Sequence, residues 1–156
     1  MAIVRFKVDG AAQPNPGRAS CAAVMFHGQK TLPVLGKSKY LGITTNNVAE
    51  HQAFILALCT ALTEGYKSVV VQSDSKVVVN QFNGDWQVQD KELAALVKFE
   101  RKLARKFNKV TVEWVGRAGV TDAHNLADVA LKHNTPEGTE RTYKMCYLED
   151  GEWKPI

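Results

Sequence analysis

The chain has no apolar run long enough to cross a membrane, since its longest, Ala53 to Cys59, is about a third of what a spanning helix needs. Its opening residues, MAIVRFKVDG, carry Arg5 and Lys7 where a signal peptide needs an apolar core. Cysteine is scarce: Cys21, Cys59 and Cys146 are odd in number, widely spaced and set in mostly apolar surroundings. That argues against a disulfide framework and against a thiolate metal site. A reducing cytoplasm, with no membrane association, is the expected setting. No glycine-rich loop followed by Lys-Ser/Thr is present, which removes the phosphate-cradling NTPases, and no His or Cys spacing suggests zinc. Repeats, linkers and low-complexity tracts are missing too. With 156 residues, 45% of them hydrophobic, one domain with one core is expected.

Net charge is only +4, but it is unevenly spread. Between Lys98 and Lys109, six cations (Lys98, Arg101, Lys102, Arg105, Lys106, Lys109) face one anion, Glu100, a local balance of +5 that leaves −1 for the rest. A polyanionic partner would meet that segment.

Hydrophobic periodicity supplies the elements. Residues 3 to 9 alternate like a half-buried strand, with Val4, Phe6 and Val8 on one face and Asp9 at the end. Residues 20 to 27 and 31 to 41 read as two more strands joined at Gly28, with Pro33 suited to an edge. A helix spans 47 to 63, and the apolar run Val69 to Val71 predicts a central strand covered on both faces and ending at Asp74. A short helix (Lys76 to Phe82), the loop NGDWQVQD and an amphipathic helix from Lys91 to about Phe107 follow. That helix should bury Leu96, Phe99, Leu103 and Phe107 opposite its cations. A strand at 110 to 115 and a helix from Asp122 to His133 complete an α/β layer protein. Its mixed five-stranded sheet combines a three-strand antiparallel meander with two parallel strands, flanked by helices. Residues 136–156 form a tail with the look of a small hairpin turning at Asp150 and Gly151.

Four acidic residues stand at junctions of these elements, each in a distinctive string: VDGAAQPNPG (Asp9), TTNNVAE (Glu50), VVVQSDSKVVVNQ (Asp74) and HNLADVAL (Asp128). Singly, each has a local explanation. Asn47 and Glu50 have the spacing of a helix capping pair, Asp74 can cap the helix after it, Asp9 can start a turn and Asp128 can sit on a solvated helix face. Jointly they point elsewhere. Asp9 and Asp74 mark the carboxyl ends of strands expected to be neighbours, the edge where α/β sheets bind ligands, and the two helices can lean Glu50 and Asp128 over it. Carboxylates so gathered repel unless a cation neutralises them, and an all-oxygen donor set selects magnesium or manganese.

In this order the four strings resemble the active site of type 1 ribonuclease H, which cuts the RNA strand of RNA/DNA hybrids. The resemblance runs from about residue 3 to residue 133, so residues 1–135 are taken as the catalytic domain. It implies an endonuclease acting on hybrids as a monomer with two Mg²⁺ ions, Mn²⁺ being an alternative. Two such ions about 3.5 to 4 Å apart serve in-line phosphodiester hydrolysis. Asp9 would bridge both, Glu50 and Asp74 would complete one side, and Asp128 would hold the other. Asn15, Asn46 and Asn47 match positions that grip the hybrid's minor groove, where the 2′-hydroxyl distinguishes RNA. Turn and capping chemistry explains the same asparagines. Thr45 is a further phosphate contact on this reading.

The chain lacks the lysine-rich insertion that some members carry after the second helix. Lys102, Arg105 and Lys106 are therefore the expected contacts to the DNA strand, with a solvated helix face as the alternative. Trp86 can stack on a sugar or staple its loop to the core, the core role being expected. In GRAGVTDAHNLAD, Gly116 and Gly119 keep the frame of a family loop whose histidine is here Arg117, while His124 stands four residues before Asp128. Arg117 can stabilise charge but not shuttle protons, whereas a histidine can do so near neutral pH. Arg117 is expected to be the loop's functional residue, with His124 as the alternative. Another metal-dependent nuclease of the superfamily, or a hybrid-binding module, is the competing reading. The NPG loop and TNNVAE string weigh against the first, and the complete set of carboxylates against the second.

Overall fold

A computed structural model describes residues 2–132, 136–146 and 152–155, with side chains as far as Tyr143. In chain order the elements are β1 (Ile3–Gln13), β2 (Gly17–His27), β3 (Leu35–Thr44), α1 (Asn46–Thr63), β4 (Ser68–Ser73), α2 (Lys76–Asn83), α3 (Lys91–Ala104), β5 (Lys109–Trp114), α4 (Thr121–Lys132), β6 (Glu140–Cys146) and β7 (Glu152–Pro155), with a 3₁₀ turn at Arg117–Val120. The α/β architecture agrees with the sequence reading. None of the helices described is long and apolar enough to cross a membrane.

The sheet has seven strands rather than five, in the order β5-β4-β1-β2-β3-β6-β7. The two additions come from the tail: β6 pairs antiparallel with β3, from Gly36↔Tyr143 to Lys39↔Glu140, and β7 pairs antiparallel with β6. A hairpin is therefore present, though its expected turn at Asp150 and Gly151 lies outside the described residues. With β6 alongside, β3 is not an edge, and Pro33 lies in the connection before it.

Strand alternation divides the core in two. Val4, Phe6 and Val8 of β1, with Cys21, Ala23 and Met25 of β2, face Ala53, Phe54 and Leu58 of α1. Ala22, Val24 and Phe26 face the other way, against Ala123, Leu126 and Ala127 of α4, where Tyr143 joins them. The strand buried on both faces is thus β2. Contrary to expectation, Val70 of β4 is only partly buried, because α4 lies over β1, β2 and β3.

Helix α3 ends at Ala104, and tighter bonds from Lys106 and Phe107 back to Leu103 and Ala104 turn Phe107 into the core. Its inner face is Val97, Glu100 and Leu103, while Phe99, expected inside, is 45% exposed. The single anion of the basic segment is fully buried. Lys98, Arg101, Lys102, Arg105, Lys106 and Lys109 are all exposed, so the solvent-facing surface is more basic than the sequence balance indicated.

Strand β1 does not stop at Asp9. Its antiparallel pairing with β2 continues to Gln13↔Arg18, but its parallel pairing with β4 ends at Val8↔Ser73. Asp9 and Asp74 are the residues immediately after that last pair, so strand register places them side by side. Helix α1 then crosses this point in contact with β1. A Cβ built on Gly10 would lie 2.2 Å from the Ala49 carbonyl oxygen, a backbone atom that cannot swing aside. Gly10→Ala should therefore cost about 1–3 kcal/mol by overpacking. Gly116→Ala, with nothing within 4 Å, should leave stability within about 0.5 kcal/mol. Urea unfolding of the two variants checks both values.

Candidate active site

Three of the four carboxylates meet. Asp9, Glu50 and Asp74 each offer an oxygen, and these oxygens lie within 4.8 Å of one another. Glu50 comes from the second turn of α1 and accepts a hydrogen bond from the Gly10 amide at 2.5 Å. Asp74 follows β4 directly, and its segment is held from three sides. The Ser75 amide donates to Ser73 Oγ (3.0 Å), Ser75 Oγ caps α2 by accepting from the Val78 amide (3.2 Å), and the Trp114 indole donates to the Asp74 carbonyl (3.2 Å). Ser75 rather than Asp74 is the cap, which leaves the Asp74 carboxylate available. Likewise Thr45, not Asn47, caps α1, accepting from the Val48 amide at 3.3 Å.

Asp128 does not belong to this trio. It is 45% exposed on α4 and reaches the cluster through His124, one helical turn earlier. His124 Nδ1 lies 3.0 Å from Asp9 Oδ2, and its Nε2 lies 3.5 Å from Asp128 Oδ2. One imidazole thus links two of the four carboxylates. Arg117 sits at the rim: its side chain is 88% exposed, and its Nε approaches Asp74 Oδ2 only to 3.8 Å. Geometry favours His124 over Arg117 as the closer auxiliary group, the reverse of the sequence expectation.

The asparagines serve the local architecture first. The Ala12 amide donates to Asn46 Oδ1 (2.7 Å), and the Asn46 amide donates to Asn15 Oδ1 (3.0 Å). Together they bolt the β1–β2 connection to the start of α1. Asn47 is exposed and lines both the carboxylate cavity, about 420 Å³, and an adjoining groove of about 440 Å³ that Asn15 and Thr45 also line. Further along α3, a cavity of about 600 Å³ is lined by Trp86, Lys98, Arg101 and Arg105. Trp86 is 47% exposed there and is not a core residue. Lys102 and Lys106 lie on the exposed surface outside that lining.

Burial and mutual repulsion dominate the electrostatics of Asp9 and Glu50. Burial, then the charges of Asp9 and Asp74, push the Glu50 carboxyl well above its ordinary range, against a partial offset from the Gly10 amide. Burial and the charge of Asp74 likewise raise Asp9, opposed by hydrogen bonds from His124 and Glu50. A cluster of oxygen donors that resists full ionisation fits a hard divalent cation. Gly10, Ser75 and Trp114 went unremarked as site residues in the sequence. The glycine was visible in the string VDG, whereas the Trp114 bond depends on β4–β5 pairing and has no local signature.

A carboxyl with a higher pKa folded than unfolded contributes stability below its unfolded pKa and loses it as pH rises through the folded value. The metal-free protein should therefore lose stability at this site as pH climbs from about 4, where ordinary carboxyls titrate, through the raised values of Asp9 and Glu50. Asp9→Asn removes one repelling charge. Measured with chelator at pH 7, its stability should equal or exceed wild type by on the order of 1 kcal/mol, the advantage vanishing near pH 4. Thermal melts across that range decide the matter; a destabilised variant at pH 7 would refute the repulsion.

The family model described as reverse transcriptase-like matches residues 7–130. A bifunctional protein of Mycobacterium tuberculosis is 35% identical over 128 residues, which is 82% of this chain and 35% of that protein, so the chain spans about a third of that relative's length. The N-terminal RNase H domain of the same protein, solved as a fusion with maltose binding protein, superposes with a TM-score of 0.81 at 34% identity, over 85% of this chain and 95% of that one. RNase H1 of the halophilic archaeon Halobacterium salinarum gives 0.80 at 32% identity, over 83% and 98%. LC11-RNase H1, crystallised in complex with an RNA/DNA hybrid, gives 0.78 at 28%, over 83% and 96%. Sharing their fold almost throughout and about a third of their sequence, the chain belongs to the type 1 ribonuclease H family.

Proposed function

We propose that this protein is an endonuclease that hydrolyses the RNA strand of RNA/DNA hybrids with divalent cations at the carboxylate cluster. The observation that carries the reading is the juxtaposition of Asp9, Glu50 and Asp74 where the β1–β4 ladder ends. Asp9, Glu50 and Asp74 would hold one ion, and Asp9 with Asp128 a second. The donor set suits Mg²⁺, with Mn²⁺ as a substitute. Such ions supply Lewis acidity to the scissile phosphate and stabilise the charge that develops on its oxygens. The chain's own residues do the rest. Asn46 and Asn47 line the cavity, and Asn15 and Thr45 the adjoining groove, where a hybrid's minor groove would present its 2′-hydroxyls. From there the surface continues along α3 to Trp86 and the exposed cations, which offer a path for the DNA backbone. His124, touching both Asp9 and Asp128, orients the two carboxylates on which a second ion depends, while Arg117 contributes a screened charge from the rim. LC11-RNase H1, which binds such a hybrid, supports the substrate class.

The test is incubation of labelled RNA/DNA hybrid, RNA duplex and DNA duplex with Mg²⁺, Mn²⁺ or chelator. Internal cleavage of the hybrid's RNA strand, only with a divalent cation, is the expected result. Asp9→Asn and Asp74→Asn should lower the rate by a thousandfold or more, about 4 kcal/mol of barrier, and His124→Ala should cost more than Arg117→Ala. Cleavage in chelator, or robust cleavage by Asp9→Asn, would sink the proposal. Binding without cleavage by the wild-type protein would favour a hybrid-binding module instead.

The exposed cations generate a separate expectation. Replacing Lys102, Arg105 and Lys106 together by Ala should weaken hybrid binding while leaving turnover at saturation nearly unchanged. Each lost phosphate contact should flatten the slope of log affinity against log salt by about 0.7 to 0.9. An unchanged slope would return these residues to an ordinary solvated face.

A further inference from the structure

His51 follows Glu50 directly on α1, so its side chain leaves the helix about 100° further round. Glu50 looks into the carboxylate cavity; His51 turns inward and is fully buried. Its Nδ1 lies 2.6 Å from Glu100 Oε2 on α3, and its Nε2 lies 2.8 Å from Gln81 Oε1 on α2. One ring therefore joins three helices, each with a part in the site. Helix α1 carries Glu50, α2 begins just after Asp74, and α3 carries the exposed cations. Arg101, next to Glu100, repeats the connection by donating from Nη2 to the carbonyls of Gln81 (3.1 Å) and Phe82 (3.3 Å) at the end of α2.

Stability alone does not account for this bridge. Glu100 Oε1 is buried with no hydrogen-bond partner among the described residues, and buried ion pairs can often be replaced by apolar side chains at no loss. Burial disfavours a charged His51, yet the Glu100 carboxylate and Gln81 outweigh it and raise the imidazole pKa. What a bridge of this kind provides is a unique geometry. Apolar contacts let a helix roll or slide by small amounts, whereas a ring fixed at both nitrogens does not. The Gly10 hydrogen bond sets the distance of Glu50 from β1 but leaves the roll of α1 to be fixed elsewhere. Carboxylates that share a cation tolerate only about 0.5 Å and 10–20° of misplacement.

We propose that His51, Gln81 and Glu100 are positioning residues that fix the roll of α1, and so the place of the Glu50 carboxylate in the metal cluster, relative to α2 and α3. This rests on the reading of Asp9, Glu50 and Asp74 as metal ligands. Groups that orient metal ligands typically influence affinity or activity by about ten- to a hundredfold. The bridge should therefore affect cation binding and turnover while leaving hybrid affinity nearly untouched.

The test separates fit from stability. In the triple variant His51→Leu/Gln81→Leu/Glu100→Met no polar partner is stranded, and its Tm should match or exceed wild type. Calorimetric titration of the hybrid-free protein with Mn²⁺ should show affinity at least tenfold weaker, with kcat reduced on the same scale and KM for hybrid within threefold. Glu100→Gln, whose amide oxygen still accepts from Nδ1, should stay within threefold of wild type in both. Gln81→Leu, which cuts only the connection to α2 and guards against a triple variant that does not fold, should weaken Mn²⁺ binding about threefold or more. Wild-type Mn²⁺ affinity and kcat in the triple variant, or in Gln81→Leu should the triple not fold, would overturn the bridge, provided Asp9→Asn has lost Mn²⁺ binding. If Asp9→Asn binds Mn²⁺ as wild type does, the metal reading itself fails and the bridge falls with it.

Discussion

The backbone of β1 at Gly10 lies directly against the carbonyl of Ala49, and the Gly10 amide donates to the Glu50 carboxylate. Most of the candidate site depends on this approach. It brings a helix residue to within 4.8 Å of the two aspartates that follow the last β1–β4 pair, and it is open only to glycine because any Cβ would displace the helix backbone. The asparagine bonds at Ala12 and Asn46 add a second attachment one helical turn before Glu50, so the start of α1 is fastened to β1 and to the connection after it. Residues that in isolation look like turn and cap chemistry thereby become the frame of the cluster. Local structure and function are one arrangement there.

That frame holds together groups that repel. Asp9 and Glu50 are 7% and 9% exposed, so little water screens them, and both carboxyls are driven upward in pKa by burial and by the charge of Asp74, with Asp9 adding to the rise at Glu50. The folded chain tolerates this because the groups are attached to elements fixed by other means. The β1–β4 ladder has its register set by Val4, Phe6, Val69 and Val71 in the core, far from the carboxylates. The large hydrophobic term stabilises a smaller electrostatic strain, and a cation would relieve that strain at the site itself.

Asp9 and Asp74 were legible in the sequence because the alternation of residues 3 to 9 and the apolar run Val69 to Val71 each lead up to an aspartate, and Glu50 because its string adjoins a helix start. What stayed hidden depends on partners distant in the chain. The length of β1 could not be read because β2 continues to pair with it past Asp9. The tail's hairpin was legible, but its attachment to the sheet was not, because β6 joins an edge that only the assembled sheet exposes. The inner face of α3 was misread for a similar reason: Phe99 has the better hydrophobic claim, but Glu100 answers a buried His51 forty-nine residues away. A polar residue in the core carries no local sign of its counterpart. Trp86, expected to staple its loop to the core, instead lines an open cavity with Val88 and Val97 and stays 47% exposed.

The separation of charges along this surface decides what each part can do. The exposed cations lie on α3 and beyond, and those lining a cavity do so beside Trp86 and not beside the carboxylates. Were they adjacent, an ammonium or guanidinium would neutralise the cluster and compete with a metal ion. Charged groups outside the carboxylate cavity are screened from it by solvent and salt, so they can attract a polyanion without neutralising the trio. Lys76 and Arg117 do line the carboxylate cavity, but the Lys76 ammonium lies 5.0 Å over the Trp114 ring, and Arg117 is almost wholly solvated. Neither substitutes for a bound ion. On the proposed reading, affinity for a nucleic-acid backbone and the binding of a metal would be carried by different stretches of the chain, α3 with the residues after it and the strand ends with α1, and the buried ring of His51 joins the helices of the two.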